Sequence, residues 1–415
     1  MKKEARAKAS NAWRFSGNEL RYVKELLASG LAGGMNARLE EAFAKRFGVK
    51  YAITANSGTS TLHQAFMAFG IKAGDEVITP PLGPFMCTST ILHAGAKPVY
   101  ADVDPETFLI DPKDIERKIT SRTKAILAVH TYGGVCDMEA IMKIAKKHRL
   151  YVIEDCAECF LGKDSRGRLA GTIGHVGNFS LQATKHITTG DGGVLITDDK
   201  KLAQRMRKFG NHGFMNTAAD RRMMKKMKDV VQDPKYLRHD GFGYNYRLSE
   251  ILAAVGLAQV ERLDEFVAKR RLMASEYLKT LKGCSWLKPQ KTTGKEVNAY
   301  FTLAVLFEGG KRSVSWYDFR KKFMEFGGDG IYAAWALAYR EPAAPLVSER
   351  GRFFLDVPAQ GVHLKGFLRD PKCPVAEHLQ PRMLQFTTNQ NTAAERRAQA
   401  LALKKTIAYF EKRAV

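Results

Sequence analysis

The sequence predicts an α/β fold whose mainly parallel sheet is covered by helices on both faces. From Tyr51 onward, short apolar or β-branched runs alternate with longer stretches of helical periodicity. Parallel strands need helical crossovers between them, which this alternation provides. With 45% hydrophobic and 26% charged residues, the 415-residue chain has the material for a packed core. Its length indicates two domains, or one large domain with an appendage.

Seven strands are predicted because each run is apolar and is bounded by turn residues. They span residues 51–55, 76–79, 97–102, 125–130, 151–155, 178–181 and 193–197. The stretch 137–148 is an amphipathic helix, since apolar residues recur there at helical spacing: Met138, Ile141, Ile144 and Ala145. Two further helices, one beginning near Ser16 and one over 37–47, precede the sheet.

We predict a large domain over residues 1–260 and a smaller C-terminal α+β domain over 261–415. An apolar-periodic pattern over 248–281 predicts one long helix that bridges them. The smaller domain is expected to hold a strand over 299–307, a helix over 315–326 and a terminal helix from Ala393.

Lysine and arginine outnumber aspartate and glutamate by 66 to 43, a formal net charge of +23. Such a surplus fits either a nucleic-acid partner or an anionic substrate. The segment 214–239 is rich in basic residues and is interpreted as a solvated helix face or as a basic arm near an anionic sugar. Since the 50 residues before Tyr51 leave no room for a separate DNA-reading domain, nucleic acid is not expected as a partner.

Six cysteines in a chain of this length do not make a disulfide framework, so reduced thiols are expected. Cys156 and Cys159 form a C-x-x-C pair, but no second pair follows at the spacing of a zinc site. They are interpreted as packed thiols, and no metal site is expected. No apolar run approaches the ~20 residues of a membrane span, and no apolar segment follows the basic N-terminus. The prediction is a cytoplasmic protein without a membrane partner.

Three chemical features lie at the ends of predicted strands. Ser57, Gly58 and Thr59 separate a strand from a helix, where free backbone N–H groups can hold a phosphate, although ordinary N-capping is the alternative. Asp155 ends a buried strand, at the edge where ligands bind in open α/β sheets; helix capping is again the alternative. Lys185 precedes a glycine-rich loop between apolar strands, so it is expected to point inward, where its charged form is disfavoured.

A phosphate cradle, a strand-end aspartate and a lysine about 30 residues after it are together typical of a pyridoxal-phosphate enzyme. In such a site Lys185 forms the Schiff base and Asp155 keeps the pyridine nitrogen protonated. The helix N-terminus anchors the phosphate.

Ordered motifs along nearly the whole chain resemble those of the DegT/DnrJ/EryC1/StrS sugar aminotransferases. They are SGTSTL at 57–62, GDEVI at 74–78, AGAKPV at 94–99, DVDPET at 102–107, IEDCAE at 153–158, GTIG at 171–174, FS at 179–180, TK at 184–185, TGDGG at 189–193 and GYNYRLSE at 243–250. The resemblance implies fold-type I, with a large cofactor domain whose mainly parallel sheet lies between helices and a smaller α+β domain.

The same resemblance implies roles for individual residues. Lys185 is the expected Schiff-base lysine and catalytic residue, and the other cofactor-binding positions are Gly58, Thr59, Asp155, Glu158, Ser180 and Asn245. Glu158 is expected near the ring or its 3-hydroxyl, and Asn245 is expected to reach the phosphate of a neighbouring subunit. The active unit would therefore be a homodimer with shared active sites.

Two parts of the site depart from the family pattern. Counted without gaps, Pro84 stands where relatives have the aromatic residue that stacks on the ring, with Phe85 next to it. We expect Phe85 to take this role after a local shift, and cover of the ring by Pro84 is the alternative. The substrate-facing segment around Tyr332 and Trp335 follows the pattern only loosely. The substrate is expected to contact these two residues together with His130 and Arg247.

The resemblance implies transfer of an amino group from glutamate or glutamine to a keto-sugar, with pyridoxamine phosphate as the intermediate form of the cofactor. We expect a nucleotide-activated keto-deoxysugar, in amino-sugar biosynthesis for a surface polysaccharide or a secondary metabolite. A sugar phosphate or an octulosonate is the alternative acceptor. Pyridoxamine-dependent sugar dehydration is disfavoured because Lys185 is not replaced by histidine, and a non-catalytic binding protein has less reason to keep both Lys185 and Asp155.

Overall fold

The computed structural model describes residues 12–220, 228–292, 294–341, 343 and 371–412. Two sheets are present in this part of the chain. The larger one contains β1 (Tyr51–Ala55), β2 (Glu76–Thr79), β3 (Lys97–Tyr100), β4 (Thr123–Val129), β5 (Tyr151–Asp155), β6 (Val176–Ser180) and β7 (Gly193–Thr197). The smaller one contains β8 (Leu287–Pro289), β9 (Thr302–Phe307), β10 (Ile331–Tyr332) and β11 (Met383–Thr387).

The larger sheet has the strand order β1-β7-β6-β5-β4-β2-β3. Its β7 runs antiparallel to both β1 and β6, and the other recorded pairings are parallel. The carboxyl ends of β1, β4, β5 and β6 therefore meet at one edge, where β7 begins. The smaller sheet has the order β10-β11-β9-β8 and is antiparallel throughout.

Helices cover the larger sheet and surround the smaller one. In the described part of the chain they are α1 (Glu19–Ala28), α2 (Met35–Phe47), α3 (Gly58–Ala68), α4 (Phe85–His93), α5 (Pro112–Lys118), α6 (Met138–His148), α7 (Lys200–Phe209), α8 (Lys228–Gln232), α9 (Glu250–Glu261), α10 (Leu263–Leu281), α11 (Trp316–Glu325), α12 (Pro374–Leu379) and α13 (Ala393–Glu411). Several helices begin at a residue whose side chain caps the helix N-terminus. Asp137 accepts from the Ala140 N–H at the start of α6, and Thr392 and Glu395 form a capping box at α13.

Successive residues of the central strands enter two different apolar cores. Ile126 and Val152 pack in the core that also holds α2 and α9, whereas Leu127 and Ile153 pack in the core that holds α3 and α4. Since side chains alternate across a strand, these two cores lie on opposite faces of the sheet. A third core joins the smaller sheet to α10, α11 and α13.

The predicted fold class is confirmed, and four of the seven strands have the predicted bounds: β1, β2, β5 and β7. The single bridging helix predicted over 248–281 was wrong, because the chain breaks at Arg262 between α9 and α10. The strand predicted over 299–307 begins only at Thr302. The domain boundary between residues 260 and 261 falls beside this helix break and stays a prediction.

The basic segment 214–239 is described only in part. Residues 221–227, which include Arg221, Arg222, Lys225 and Lys226, lie outside the described residues. At its two ends Phe214 and His239 pair as a β-bridge and their rings lie 4.4 Å apart. The choice between a solvated face and a basic arm thus remains a prediction. Among the described helices, none combines the length and the apolar character that a bilayer crossing requires.

Candidate active site

The carboxyl edge of the larger sheet brings together three predicted features. Asp155 is the last residue of β5, and Ser180 is the last residue of its parallel neighbour β6. Ser57 follows β1 and caps α3, and the loop that carries Lys185 joins β6 to β7. Residues more than 100 positions apart in sequence are therefore neighbours at one crevice.

The start of α3 offers free backbone donors at this crevice. The Ser57 side chain accepts from the Ser60 N–H at 3.0 Å, and the Ser57 carbonyl accepts from the Thr61 N–H at 3.1 Å. The first N–H groups of a helix have no intrahelical acceptor, so those of Gly58 and Thr59 are left for an external anion. The positive end of the helix dipole adds to this attraction.

Gly58 is required at this position by its distance to Ser180. A Cβ on Gly58 would lie 2.8 Å from the Ser180 Cβ and 3.2 Å from its Cα. The structure thus places two predicted phosphate-binding residues, Gly58 and Ser180, in direct contact, with the Ser180 side chain buried at the end of β6.

Asp155 is buried, and its two carboxylate oxygens accept different numbers of hydrogen bonds. Its Oδ1 accepts from the Ala157 N–H and from the Asn178 side-chain amide, each at 3.0 Å. Its Oδ2 accepts from the Cys87 thiol, with Sγ at 3.3 Å. Burial, followed by the nearby Asp155 charge, raises the pKa of Cys87 and keeps this thiol protonated as a donor. Oδ2 is therefore the oxygen open to a further partner.

A hydrogen-bonded relay connects Asp155 to the phosphate-binding helix. The Asn178 side chain, which donates to Asp155, accepts in turn from the Thr61 hydroxyl on α3. The Thr61 hydroxyl also lies 2.6 Å from the Gly58 carbonyl, so its one proton is shared between the two acceptors. Because buried, fully paired networks of this kind are rigid, the carboxylate and the N-terminus of α3 hold a fixed relative position.

Lys185 lies beside an acid and an aromatic ring. Its side chain is 14% exposed, and its Nζ lies 3.4 Å from Glu158 Oε1 and 4.5 Å from the centre of the Phe301 ring. Glu158 is fixed in turn by the Tyr132 N–H, which donates to its Oε2 at 2.9 Å. Tyr132 has a φ of 65°, a conformation disfavoured for an aromatic residue and a form of strain found at functional sites. The expected inward orientation of Lys185 is observed.

His186, next in the chain, points away from the crevice. It is fully buried, and its Nε2 lies 3.1 Å from the Ala299 carbonyl. Burial, reinforced by the positive Arg270, lowers the pKa of His186, so the ring is neutral at physiological pH. Lys185, and not His186, is thus the residue that faces the crevice.

A cavity of about 490 Å³, the Lys185 cavity, opens against the smaller sheet and beside Glu158 and Phe301, the two side chains that contact Lys185. Glu158, Thr184 and Phe301 form its inner part, and the predicted substrate residues Tyr332 and Trp335 form its mouth. Both aromatic side chains are exposed, at 64% and 48%. They therefore offer flat apolar faces at the opening of the site, and their contact with substrate stays a prediction.

His130 does not reach this cavity, which corrects the expectation that it contacts substrate. It is completely buried, its Nδ1 accepts from the Cys136 N–H at 3.0 Å and its Nε2 lies 3.1 Å from Glu154 Oε2. Both ring nitrogens are engaged, so His130 supports the strands from within. Glu154 also accepts three backbone N–H groups, which are those of Gly171, Ile173 and Gly174.

Arg247 and Asn245 lie together at the surface, on the loop before α9. The Arg247 guanidinium donates to the Asn211 side chain at 3.0 Å, and Asn245 pairs with Asn211 as a β-bridge. Arg247 is not part of the described wall of the Lys185 cavity. Its contact with substrate stays a prediction. Asn245 is exposed, as a residue that serves a neighbouring subunit has to be.

Phe85 is the first residue of α4, with Pro84 as its N-cap. The half-buried Phe85 ring packs against the apolar cluster that contains Leu82 and Leu337. The same first turn places Cys87 on Asp155, so α4 starts directly at the crevice. The stacking role of Phe85 stays a prediction.

Sequence patterns missed four residues around Lys185 and Asp155. They are Cys87, Asn178, Phe301 and Arg270, which contact Asp155, Lys185 or the adjacent loop. One of them left a usable signal, because Asn178 begins the predicted strand 178–181. Cys87, Phe301 and Arg270 left no such signal, because only the tertiary fold brings the segments that carry them close to Asp155 and Lys185.

We expect Gly58→Ala to lose the cofactor and to reduce stability. The new Cβ would overlap Ser180 and push α3 away from β6, a strain that costs about 1–3 kcal/mol. The measurement is cofactor retention after dialysis, together with thermal unfolding. Gly310→Ala is the matched control, because a Cβ there meets no atom within 4 Å. Unchanged retention in Gly58→Ala would contradict the phosphate-binding role.

These groups fit pyridoxal phosphate. The N-terminus of α3 suits a phosphate, Asp155 Oδ2 suits a ring N–H⁺, and Lys185 lies at the same crevice between Glu158 and Phe301. Asp155 and the N-terminus of α3 are positioned by strands β5 and β1 of one sheet, and Lys185 by the loop between β6 and β7.

Comparison with known proteins agrees with a pyridoxal-phosphate site. The family model described as the DegT/DnrJ/EryC1/StrS aminotransferase family matches residues 15–328. The GDP-perosamine synthase of Escherichia coli O157:H7 is 40% identical over 294 residues, which are 70% of this chain and 75% of that protein. The crystal structure of an aminotransferase from Psychrobacter cryohalolentis superposes with a TM-score of 0.82 and 28% identity, over 96% of this chain and 98% of that one.

A further solved structure shares the fold. It is the E. coli GDP-4-keto-6-deoxy-D-mannose-3-dehydratase with bound hydrated PLP, which has a TM-score of 0.77 and 24% identity over 93% of this chain and 96% of that one. The family match covers the crevice from Ser57 to Asn245 and extends past it on both sides. The chain belongs to the DegT/DnrJ/EryC1/StrS aminotransferase family.

Proposed function

We propose that this aminotransferase moves an amino group from an amino-acid donor, glutamate or glutamine, to a nucleotide-activated keto-sugar in amino-sugar biosynthesis. The observation that carries the proposal is the position of Lys185, held between Glu158 and Phe301 at the edge where Asp155 and α3 meet. The cofactor is pyridoxal phosphate. It supplies an electron sink that stabilises negative charge on the carbon next to the transferred nitrogen.

The protein residues bind and orient, and one of them moves a proton. Gly58, Thr59 and Ser180 would hold the phosphate, and Asp155 Oδ2 would accept from the ring nitrogen and keep it positively charged. Lys185 Nζ would take the proton from the substrate carbon and deliver it to the carbon on the other side of the transferred nitrogen, as a general base and then a general acid. Glu158 Oε1, 3.4 Å from Nζ, keeps this amine oriented toward the crevice.

The acceptor is proposed to be a GDP-linked keto-sugar. The support is the 40% identity to a protein named GDP-perosamine synthase, together with a cavity large enough for a sugar beside Lys185. Tyr332 and Trp335 at its mouth are suited to stack on a sugar or on a base. A sugar phosphate or an octulosonate would use the same crevice without the base.

The test is a two-stage assay with the purified holoenzyme. L-glutamate or L-glutamine first converts the cofactor to pyridoxamine phosphate, which is followed by absorbance. A panel of GDP-linked, other nucleotide-linked and non-nucleotide keto-sugars is then added, and the return of the aldehyde form is recorded while mass spectrometry identifies the amino-sugar. Return with GDP-linked sugars supports the proposal. Return only with sugar phosphates or octulosonates would reject the nucleotide-sugar assignment.

We further propose a homodimer in which Asn245 serves the partner's phosphate site. The loop that carries Asn245 also exposes three large apolar side chains, whose contact with water is unfavourable. They are Phe242 (99% exposed), Leu237 (74%) and Tyr244 (54%). The backbone beside it is tied to the phosphate loop, since the Asn56 N–H donates to the Tyr246 carbonyl at 2.8 Å. The shared interface would therefore lie next to both active sites.

Asn245→Ala is expected to keep the dimer and to weaken cofactor binding by about tenfold or more, the effect of losing one hydrogen bond to a charged group. Light scattering measures the mass and dialysis measures retention of the cofactor. A monomeric wild-type protein, or a dimeric variant with undiminished retention, would contradict the shared site.

A cytoplasmic location is also proposed. All six cysteines are free thiols, and Cys156 and Cys159 are packed without any exposed surface. Such thiols are typical of a reducing compartment.

A further inference from the structure

Two buried arginines line the Lys185 cavity from opposite parts of the chain. Arg14 comes from a short 3₁₀ helix (Ala12–Phe15) before α1, and Arg270 comes from α10. Each residue is only 7% exposed, and both belong to the cavity wall together with Glu158 and Thr184. Arg14 lies one residue before the span that the family model matches.

Both guanidinium groups contact neutral oxygens. Arg14 donates to the carbonyls of Ala183 at 2.8 Å, Lys185 at 2.6 Å and His186 at 3.4 Å. Arg270 donates to the carbonyls of Phe301 at 2.7 Å and Thr184 at 3.1 Å and to the Thr388 hydroxyl at 3.1 Å. Among the described residues, neither guanidinium lies within ion-pair distance of a carboxylate. An arginine has five N–H donors, so each keeps unused ones.

Two buried cations without a bonded anion are unfavourable unless a ligand neutralises them. Burial, and then repulsion from Arg14, lowers the pKa of Arg270 to about 9, so both groups remain charged at neutral pH. Glu158 is the acid of the cavity wall, and it is already occupied by Lys185 and by the Tyr132 N–H. Arg14 and Arg270 thus give the cavity wall positive charge and forked donors, the arrangement that carboxylates bind best.

We propose that Arg14 and Arg270 form the subsite for the carboxylate of the amino-acid donor. This inference rests on the proposed aminotransfer. In an amino acid, only one carbon separates the reacting nitrogen from the carboxylate, so the carboxylate has to bind close to Lys185. The diphosphate of a nucleotide-sugar is separated from its reacting carbon by part of the sugar ring, so it belongs further out, toward Tyr332 and Trp335.

A purely structural role is the competing explanation for the arginines. Together they bind the four successive carbonyls of residues 183–186, so they also fix the turn that carries Lys185. Such a clamp would affect both halves of the reaction, whereas a carboxylate subsite affects the donor half. The two explanations therefore predict different kinetics.

The experiment compares Arg14→Gln and Arg14→Lys with Arg271→Gln. Arg271 is a matched control, because it also donates to two backbone carbonyls, those of Asn298 and Leu161, but does not line the cavity. Single-turnover absorbance gives the Kd and the limiting rate for L-glutamate, and separately for the keto-sugar. Calorimetry of glutarate, with glutaramide as its uncharged analogue, measures carboxylate binding to the holoenzyme.

Arg14→Gln is expected to raise the Kd of glutamate and of glutarate by about tenfold or more, with the keto-sugar Kd unchanged. Arg14→Lys should recover part of the affinity because it keeps the charge, and Arg271→Gln should behave as wild type. An unchanged glutamate Kd in Arg14→Gln, or equal losses in both halves, would overturn the subsite in favour of the clamp. If no keto-sugar is aminated but glutarate and glutamate still respond to Arg14→Gln, the subsite stands and the proposed acceptor fails.

Discussion

Lys185→Ala is expected to abolish measurable amino transfer. A positioned group that moves a proton contributes about 10²–10⁴-fold to the rate, and Lys185 is the amine that faces the crevice between Glu158 and Phe301. The side chain makes few other contacts, so the variant is expected to fold. The variant keeps the groups proposed to bind the phosphate and the ring, which are the N-terminus of α3 and Asp155, so the cofactor should still bind, without covalent attachment.

The measurement for Lys185→Ala combines turnover, thermal unfolding and the absorbance of the bound cofactor. Lys291→Ala is a suitable control, because this lysine is 54% exposed and forms a surface ion pair with Glu106. Surface pairs of this kind contribute little to stability, so the control should retain full turnover. Full turnover in Lys185→Ala would refute the assignment of the proton transfer to this lysine.

The sequence predicted the strands of the larger sheet well because each is a compact apolar run. The runs from Tyr51, Glu76, Tyr151 and Gly193 are bounded by turn residues and are buried on both faces, and tertiary contacts did not shift their ends. The break at Arg262 was missed because apolar periodicity continues from α9 into α10. No proline or glycine marks the change of direction, so a local pattern could not locate it.

The site was predictable where neighbouring strands end together. The sequence located the strands that Asp155 and Ser180 close, and the parallel pairing of β5 with β6 brings the two side chains to the same edge. Arg14 and Arg270 were not predictable, because both reach the Lys185 loop from helices distant in sequence. His130 was placed wrongly because a histidine at a strand end can face either the crevice or the interior. The contact with Glu154, which holds the His130 ring in the interior, can be seen only in the folded structure.

Asp155→Asn is expected to lower cofactor affinity by at least about a hundredfold and to reduce turnover in proportion. The asparagine keeps the size of the side chain and can still accept from Ala157 and Asn178 through one oxygen. It carries no charge, so a positively charged ring nitrogen would be left unpaired in a buried site, which costs about 3–5 kcal/mol. The ring would therefore lose its proton, and the electron sink would weaken.

A matched control shows whether Asp155→Asn acts by removing the negative charge or by disturbing the fold. Asp75 is also buried and also accepts a backbone N–H, from Lys72 at 3.0 Å, but it precedes β2 at the opposite edge of the sheet. Asp75→Asn should leave cofactor affinity unchanged. Titration of pyridoxal phosphate into cofactor-free protein measures the affinity of each variant. Equal affinities for Asp155→Asn and wild type would show that Asp155 Oδ2 does not pair with the ring, and that the Cys87 thiol is its functional partner instead.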